Sequence, residues 1–303
     1  MKKVKKSTLF IGLTFAGSWG IAGVYYLFGG SLTSTSGILI SVLYMFVPMI
    51  MALIIEKGIY KQPVVKPLRI GFKINSWFFI AWLIMPVIAF GIIGVSLLLP
   101  ETSFSLEVSE MFARFESLMT PEQLEEVKGE LESLPIHPVW LMLVQGLIAG
   151  FTINAVAGFG EELGWRGFLL REYADMKFWK ASIYIGFIWG AWHAPLILQG
   201  HNYSAHPIIG VFMMIIWCIL LTPLFNYITI KAKSVIATAI MHGTLNAVAG
   251  IAILLVTGGN DLTIGFTGLS GFVVLIVTLF VFYVYDKRFA KERLINEEIG
   301  KYL

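Results

Sequence analysis

Eight apolar stretches of roughly bilayer-crossing length run through the chain: Leu9–Gly29, Ile38–Ile55, Trp77–Leu99, Val139–Gly160, Ile183–Leu198, Ile208–Ile230, Val235–Val256 and Ile264–Tyr283. A membrane helix needs about 20 predominantly apolar residues. The fifth stretch, which holds His193 and Pro195, is shorter than most. In hydrocarbon every backbone amide must find its partner within the chain, so such stretches form helices. The expected fold is all-α, a polytopic integral membrane protein with eight transmembrane helices. Composition agrees: the chain is 14% charged, against about 25% in soluble domains.

The segments between the stretches test this count, because cytoplasmic loops carry excess Lys and Arg. With Lys2, Lys3, Lys5 and Lys6 placed inside, the next inside loop, Glu56–Asn75, carries Lys57, Lys61, Lys66, Arg69 and Lys73. Arg171, Lys177 and Lys180 follow in the next one, then Lys231 and Lys233, and the tail has Lys287, Arg288, Lys291 and Arg293. The expected outside loops, Gly30–Gly37, Pro100–Pro138, Gln199–Pro207 and Thr257–Thr263, contain only Arg114 and Lys128 as basic residues. Both termini are therefore expected in the cytoplasm. The first apolar run is too long for a signal-peptide core of 7–15 residues and is read as an uncleaved span. Gly-Lys-Tyr-Leu at the C-terminus is not a prenylation box.

The basic residues come in short clusters between apolar runs, which gives no sign of nucleic-acid binding. The one cysteine, Cys218, lies in an apolar run and is read as a small buried hydrophobe, so neither a disulfide nor a cysteine metal site is expected. Outside, Glu101–Ile136 holds nine Glu against one Arg and one Lys. Within it, Thr120-Pro121-Glu122-Gln123 reads as a helix start, with Leu124, Val127 and Leu131 at helical spacing. A surface amphipathic helix is the first reading of this segment, and a docking element for a partner or substrate is the second.

Ionisable side chains inside the apolar stretches are the functional signal, since each is costly at membrane depth. Glu161, Glu162, Arg166, His193 and His242 are the five, all in the second half of the chain. Glu162 and Arg166 are four apart and able to pair along a helix, with Glu161 on the adjoining face. Two neighbouring carboxylates in a low dielectric do not both ionise freely, which suits one of them to accept a proton near neutral pH. In Trp189-Gly-Ala-Trp-His-Ala-Pro195, the proline frees the Ala191 carbonyl. At depth that is tolerated only within protein or beside a water-filled cavity, which Trp189 and Trp192 would wall. His242 and Asn246 share one helix face and together are able to orient a water and donate to an oxyanion. A structural reading stands beside each of these: a charge cluster at a helix end, a satisfied core histidine, a polar pair linking helices. Asn154 and Asn226, without such neighbours, are read as interhelical contacts. From the span ends, His242 lies roughly 10–12 Å deep, Glu161 roughly 15 Å and His193 roughly 15–20 Å, so the three are able to meet in the inner half to middle of the bilayer.

Glu161-Glu162-x-x-x-Arg166, Trp189-x-x-x-His193 and His242-x-x-x-Asn246, in order on separate spans, resemble the CPBP family of intramembrane proteases, the CAAX prenyl proteases and bacteriocin-processing (Abi) enzymes. The resemblance covers about Val139–Val256. The family's usual Phe before the first His is Trp189 here. The resemblance implies that Glu161 and His193 activate the attacking water, that His242 and Asn246 hold the water or oxyanion, and that Glu162 and Arg166 support them. Glu161, His193 and His242 would be the ligands if zinc is bound. The chain has no His-Glu-x-x-His pair, and a metal-free glutamate/histidine site is favoured while the choice stays open.

The expected organisation is a three-span region over 1–137 with its acidic loop 100–137, a catalytic core over 138–256, and an eighth span with a basic tail over 257–303. The expected function is hydrolysis of a peptide bond in a membrane-associated peptide or protein. Alternatives are a non-catalytic immunity or scaffold protein, a strict CAAX prenyl endopeptidase, and a transporter, the last disfavoured because the only acidic residues read as lying within the stretches are Glu161 and Glu162, where the fourth runs on.

Overall fold

The computed structural model describes residues 5–112 and 120–303. Lys2, Lys3 and Arg114, which entered the charge count, lie outside the described residues. In chain order the elements are α1 (Lys6–Leu27), α2 (Thr35–Leu53), α3 (Ser76–Ser96), β1 (Ser103–Phe104), α4 (Val108–Phe112), α5 (Pro121–Glu132), α6 (Pro138–Phe151), α7 (Ile153–Glu162), α8 (Leu170–Glu172), α9 (Phe178–Trp192), α10 (Ala194–Leu198), α11 (Pro207–Ala232), α12 (Val235–Val248), α13 (Ile251–Leu254), β2 (Val256–Thr257) and α14 (Leu269–Arg288). Pro121 opens α5 as the sequence suggests. Among the described residues the elements are all helical apart from the β1–β2 pair, in which Ser103 faces Thr257, and an isolated bridge between Lys177 and Glu298.

Six helices among the described residues are long and apolar enough to cross a membrane, and a seventh crossing results if α6 and the α7–α8 segment, bent by 50°, form one span. Two expected spans thus differ from continuous helices. The stretch expected to run unbroken from Val139 past Gly160 bends at Thr152, whose backbone leaves the helical region (φ −113°, ψ −101°). Its hydroxyl turns back to the Ile148 carbonyl at 2.7 Å. The stretch Ile183–Leu198 is divided between α9 and α10. Pro195 has no N–H to continue the ladder, and the His193 amide bonds three residues back to Gly190. The 15 residues of α9 extend only about 22 Å, short of the roughly 30 Å hydrocarbon core.

Phe79, Val87, Phe187, Phe212, Val277 and Phe280 point outward and are exposed, leaving apolar surface on α3, α9, α11 and α14. Water does not tolerate contiguous apolar surface on that scale, and lipid does; the chain is an integral membrane protein. Between helices the close contacts use small residues. A Cβ added to Gly158 of α7 would stand 2.9 Å from the Ala239 carbonyl oxygen, and one on Gly243 of α12 would stand 2.5 Å from the Ala155 nitrogen. Those two glycines let α7 and α12 pack backbone to backbone.

All segments expected inside gather at one end of the bundle. Arg69 donates to the Tyr302 carbonyl at 2.5 Å, Asn75 to Ala232 at 3.1 Å, and Lys231 to the Glu292 carbonyl. Asp286 accepts the Leu294 and Ile295 amides and the Tyr227 hydroxyl, which ties the tail down. Ile299 and Gly300 bond to the carbonyls of Met176 and Ala174. The expected outside loops meet at the other end. There β1 pairs with β2, His137 bonds the Leu106 carbonyl, and Asp261 accepts from the Ala205 amide at 2.9 Å and contacts His206 Nδ1 at 2.6 Å.

Candidate active site

The end of α7 carries Glu161 and Glu162, and the helix then widens into a π-turn over Leu163–Leu169 that holds Arg166. Such π-turns are frequent at functional sites. Arg166 Nη1 still reaches Glu162 Oε1, at 3.1 Å, and Nη2 donates to Thr222 of α11 at 3.2 Å. The guanidinium lies 4.2 Å from the centre of the Trp189 ring and 4.7 Å from that of Phe225. A buried cation is tolerable only with such compensation, and both members of the pair are fully buried.

Glu162 Oε1 also faces His242 Nδ1 at 2.8 Å. Because Arg166 holds this oxygen as an acceptor, the imidazole donates, and Nε2 turns toward Glu161, 3.9 Å from its Oε1. That separation exceeds direct hydrogen-bond reach. The other Glu161 oxygen accepts the Trp189 indole N–H at 2.7 Å. His193 Nδ1 lies 2.8 Å from the Trp189 carbonyl. A carbonyl only accepts, so Nδ1 carries the proton and Nε2 is the acceptor of the neutral ring. Trp189 thus anchors both Glu161 and His193.

Glu161, Trp189, His193, His242 and Asn246 line one cavity of about 840 Å³. Glu162 and Arg166 stand behind its wall. Asn246, one turn along α12 from His242, is exposed to the cavity and makes no hydrogen bond within the cluster among the described residues. The structure therefore brings five of the six expected residues into one contact network, with the sixth in the same cavity. Asn226, read as an interhelical contact, donates to Ser182 at 3.0 Å.

Sequence reasoning missed the contribution of the first two helices. Tyr44 of α2 lines the cavity and donates to the Trp192 carbonyl at 2.6 Å; Trp19 of α1 donates to the same oxygen, and Trp192 donates to Ser18. Thr222 and Phe225, which hold Arg166, were missed as well. A polar side chain on an otherwise apolar helix was the only signal available for Tyr44, Ser18 and Thr222.

Among the described residues, no group of three or more His, Cys, Asp or Glu side chains is placed to hold a metal ion. Trp189 holds Glu161 Oε2 and His193 Nδ1 and Glu162 holds His242 Nδ1, while Glu161 Oε1, His193 Nε2 and His242 Nε2 make no hydrogen bond among the described residues.

Fold and site together define a class: a polytopic helical membrane protein with a buried carboxylate–imidazole cluster opening on an internal cavity. Residues 135–248 match the family model described as Type II CAAX prenyl endopeptidase Rce1-like, and the likeness to the CAAX protease family drawn from the three motifs is borne out. The matched segment runs from the residues before α6 to the end of α12 and contains all six site residues expected from the sequence. No curated protein matches the chain.

Proposed function

We propose that the protein is an intramembrane endopeptidase that hydrolyses a peptide bond of a membrane-associated peptide or protein. The observation that carries this reading is the convergence of Glu161, His193 and His242 on one cavity, the first two oriented by Trp189 and the third by Glu162. Glu161 takes the proton of the attacking water, with His193 Nε2 as the second acceptor. The Asn246 amide and His242, protonated on both nitrogens between Glu162 and Glu161 so that Nε2 also donates, face the developing oxyanion, and these preorganised donors lower its cost. Glu162 fixes the orientation of His242 and is itself neutralised by Arg166. Water activation by this glutamate–histidine pair, without a metal, is part of the reading.

The region 138–256 is the catalytic core in this proposal, flanked by 1–137 and 257–303. The bent α6–α8 segment counts as one crossing and α9–α10 as another, which gives eight, with both termini on the cytoplasmic face of the cell membrane. The description of the matched family favours a second reading, a strict CAAX prenyl endopeptidase. The deciding experiment compares membrane peptides from cells with the wild-type protein and with Glu161→Gln. General-base catalysis contributes about 10²–10⁴-fold, so the Glu161-dependent products should disappear while the protein still accumulates. Unchanged peptides with full biological function in Glu161→Gln would leave a scaffold role in its place.

A further inference from the structure

The cavity is asymmetric along the bundle. Its floor is the Glu161–His242 cluster, and its far rim is formed by Gly200, His201, Ser204, Asn260 and Asp261. Asn202, Ser204 and Asn260 on this rim are exposed. No residue of the basic segments 56–75, 171–180, 229–236 or 286–303 lines it. Beneath the floor the way is filled by buried Arg166, Thr222, Phe225, Trp165 and Phe168. A smaller groove of about 290 Å³, lined by Phe72, Phe151 and Ile240 among others, shares no wall residue with the cavity.

α11 measures the separation of the two ends. It starts at Pro207, next to the rim, and finishes at Ala232, beside Lys233 and the docked tail. Its 26 residues extend about 39 Å, more than a hydrocarbon core. Lys61, Lys66, Arg69, Lys73, Arg171, Lys177, Lys231 and Arg293 all belong to the segments at the far end of α11 from the rim. An excess of Lys and Arg in short loops marks the cytoplasmic face.

We infer that the site takes its substrate from the extracytoplasmic side, so that the bonds it cleaves lie in membrane-anchored segments exposed on that face. This rests on the proteolytic reading above. It separates the protein from an enzyme acting on lipidated C-termini presented in the cytoplasm, because such a chain would meet the filled end of the bundle.

The test uses intact cells carrying the full-length protein. A membrane-impermeant amine reagent tags exposed new N-termini in wild-type and Glu161→Gln cells, before and after lysis. In parallel, a membrane-impermeant thiol reagent probes Ser204→Cys and Ser41→Cys, with Lys66→Cys and Lys231→Cys as cytoplasmic markers, all in a Cys218→Ala background. The expected result is Glu161-dependent termini tagged in intact cells, with cysteines 204 and 41 labelled and 66 and 231 protected. Glu161-dependent termini tagged only after lysis, or protection of 204 together with labelling of 66, overturns the access side and leaves proteolysis standing. Absence of Glu161-dependent termini from both samples overturns the proteolytic reading and this inference with it.

Discussion

His242 donates its Nδ1 proton to Glu162 Oε1 across 2.8 Å, and the same oxygen holds Arg166 at 3.1 Å. One carboxylate oxygen therefore sets the direction of the imidazole and neutralises a buried guanidinium. The two adjacent glutamates have opposite structural roles: Glu162 lies behind the wall with its charge matched, and Glu161 lines the cavity. Glu162→Gln leaves Arg166 buried without its counter-charge, at a cost of about 3–5 kcal/mol. The expected outcome is a large drop in thermal stability in detergent along with lost activity, whereas Glu161→Gln loses activity at near wild-type stability. Equal melting temperatures for the two variants would contradict this division.

The helical framework was legible because apolar run length is set by the bilayer, and the candidate site because ionisable side chains are rare in such runs. What escaped reading depends on contacts between distant residues or on local backbone choices that leave no composition signal. Thr152 bends the fourth stretch without a proline, and the π-turn after Glu162 has no distinctive residue. Glu56, taken as the first residue of a loop, is carried inward because α2 winds on through Ile54–Ile59. It is buried between Lys6 at 2.9 Å and Arg171 at 2.6 Å, which links the N-terminus to the helix that follows the site. Trp189 was legible as an aromatic wall, and its two polar contacts were not.

Those contacts make Trp189→Phe informative. Phenylalanine keeps an aromatic face toward Arg166 and the backbone carbonyl that orients His193, and removes the N–H that Glu161 accepts at 2.7 Å. Hydrogen bonds to charged groups contribute about 1.5–3 kcal/mol. The expected loss is roughly 10- to 100-fold in kcat for a reporter peptide, with the protein still folded. Wild-type kcat in Trp189→Phe would show that the indole only packs.

Gly243 tests whether the backbone contact of α7 and α12 sets the site. A Cβ there would meet the Ala155 nitrogen at 2.5 Å and the Gly150 carbonyl oxygen at 2.6 Å, and neither is a side chain able to swing away. Gly243→Ala should cost about 1–3 kcal/mol by overpacking and lower activity, because separating the helices pulls His242 from Glu162. Gly94→Ala on α3, where nothing lies within 4 Å, is the control and should be neutral. Melting curves and reporter cleavage check both; a fully active, fully stable Gly243→Ala protein would refute the account.

Removal of metal is the next test. On the metal-free reading, purified protein holds substoichiometric zinc and keeps its activity after dialysis against a chelator. Near-stoichiometric zinc, with activity lost on removal and restored on addition, would mean that Glu161, His193 and His242 draw together around an ion in the working enzyme.

Asn246 offers the sharpest separation of catalysis from folding. It is exposed to the cavity on α12 and bonds no neighbour among the described residues, so truncation to alanine removes little that the fold relies on. In the proposed mechanism the amide, one turn from His242, donates to charge that develops on the scissile carbonyl. Loss of a single oxyanion donor typically lowers kcat by about 10²–10³-fold. Asn246→Ala should therefore express and melt like the wild type, bind a reporter peptide with little change in KM, and lose kcat on that scale. A fall in melting temperature would assign Asn246 to the fold, and an unchanged kcat would remove it from the site.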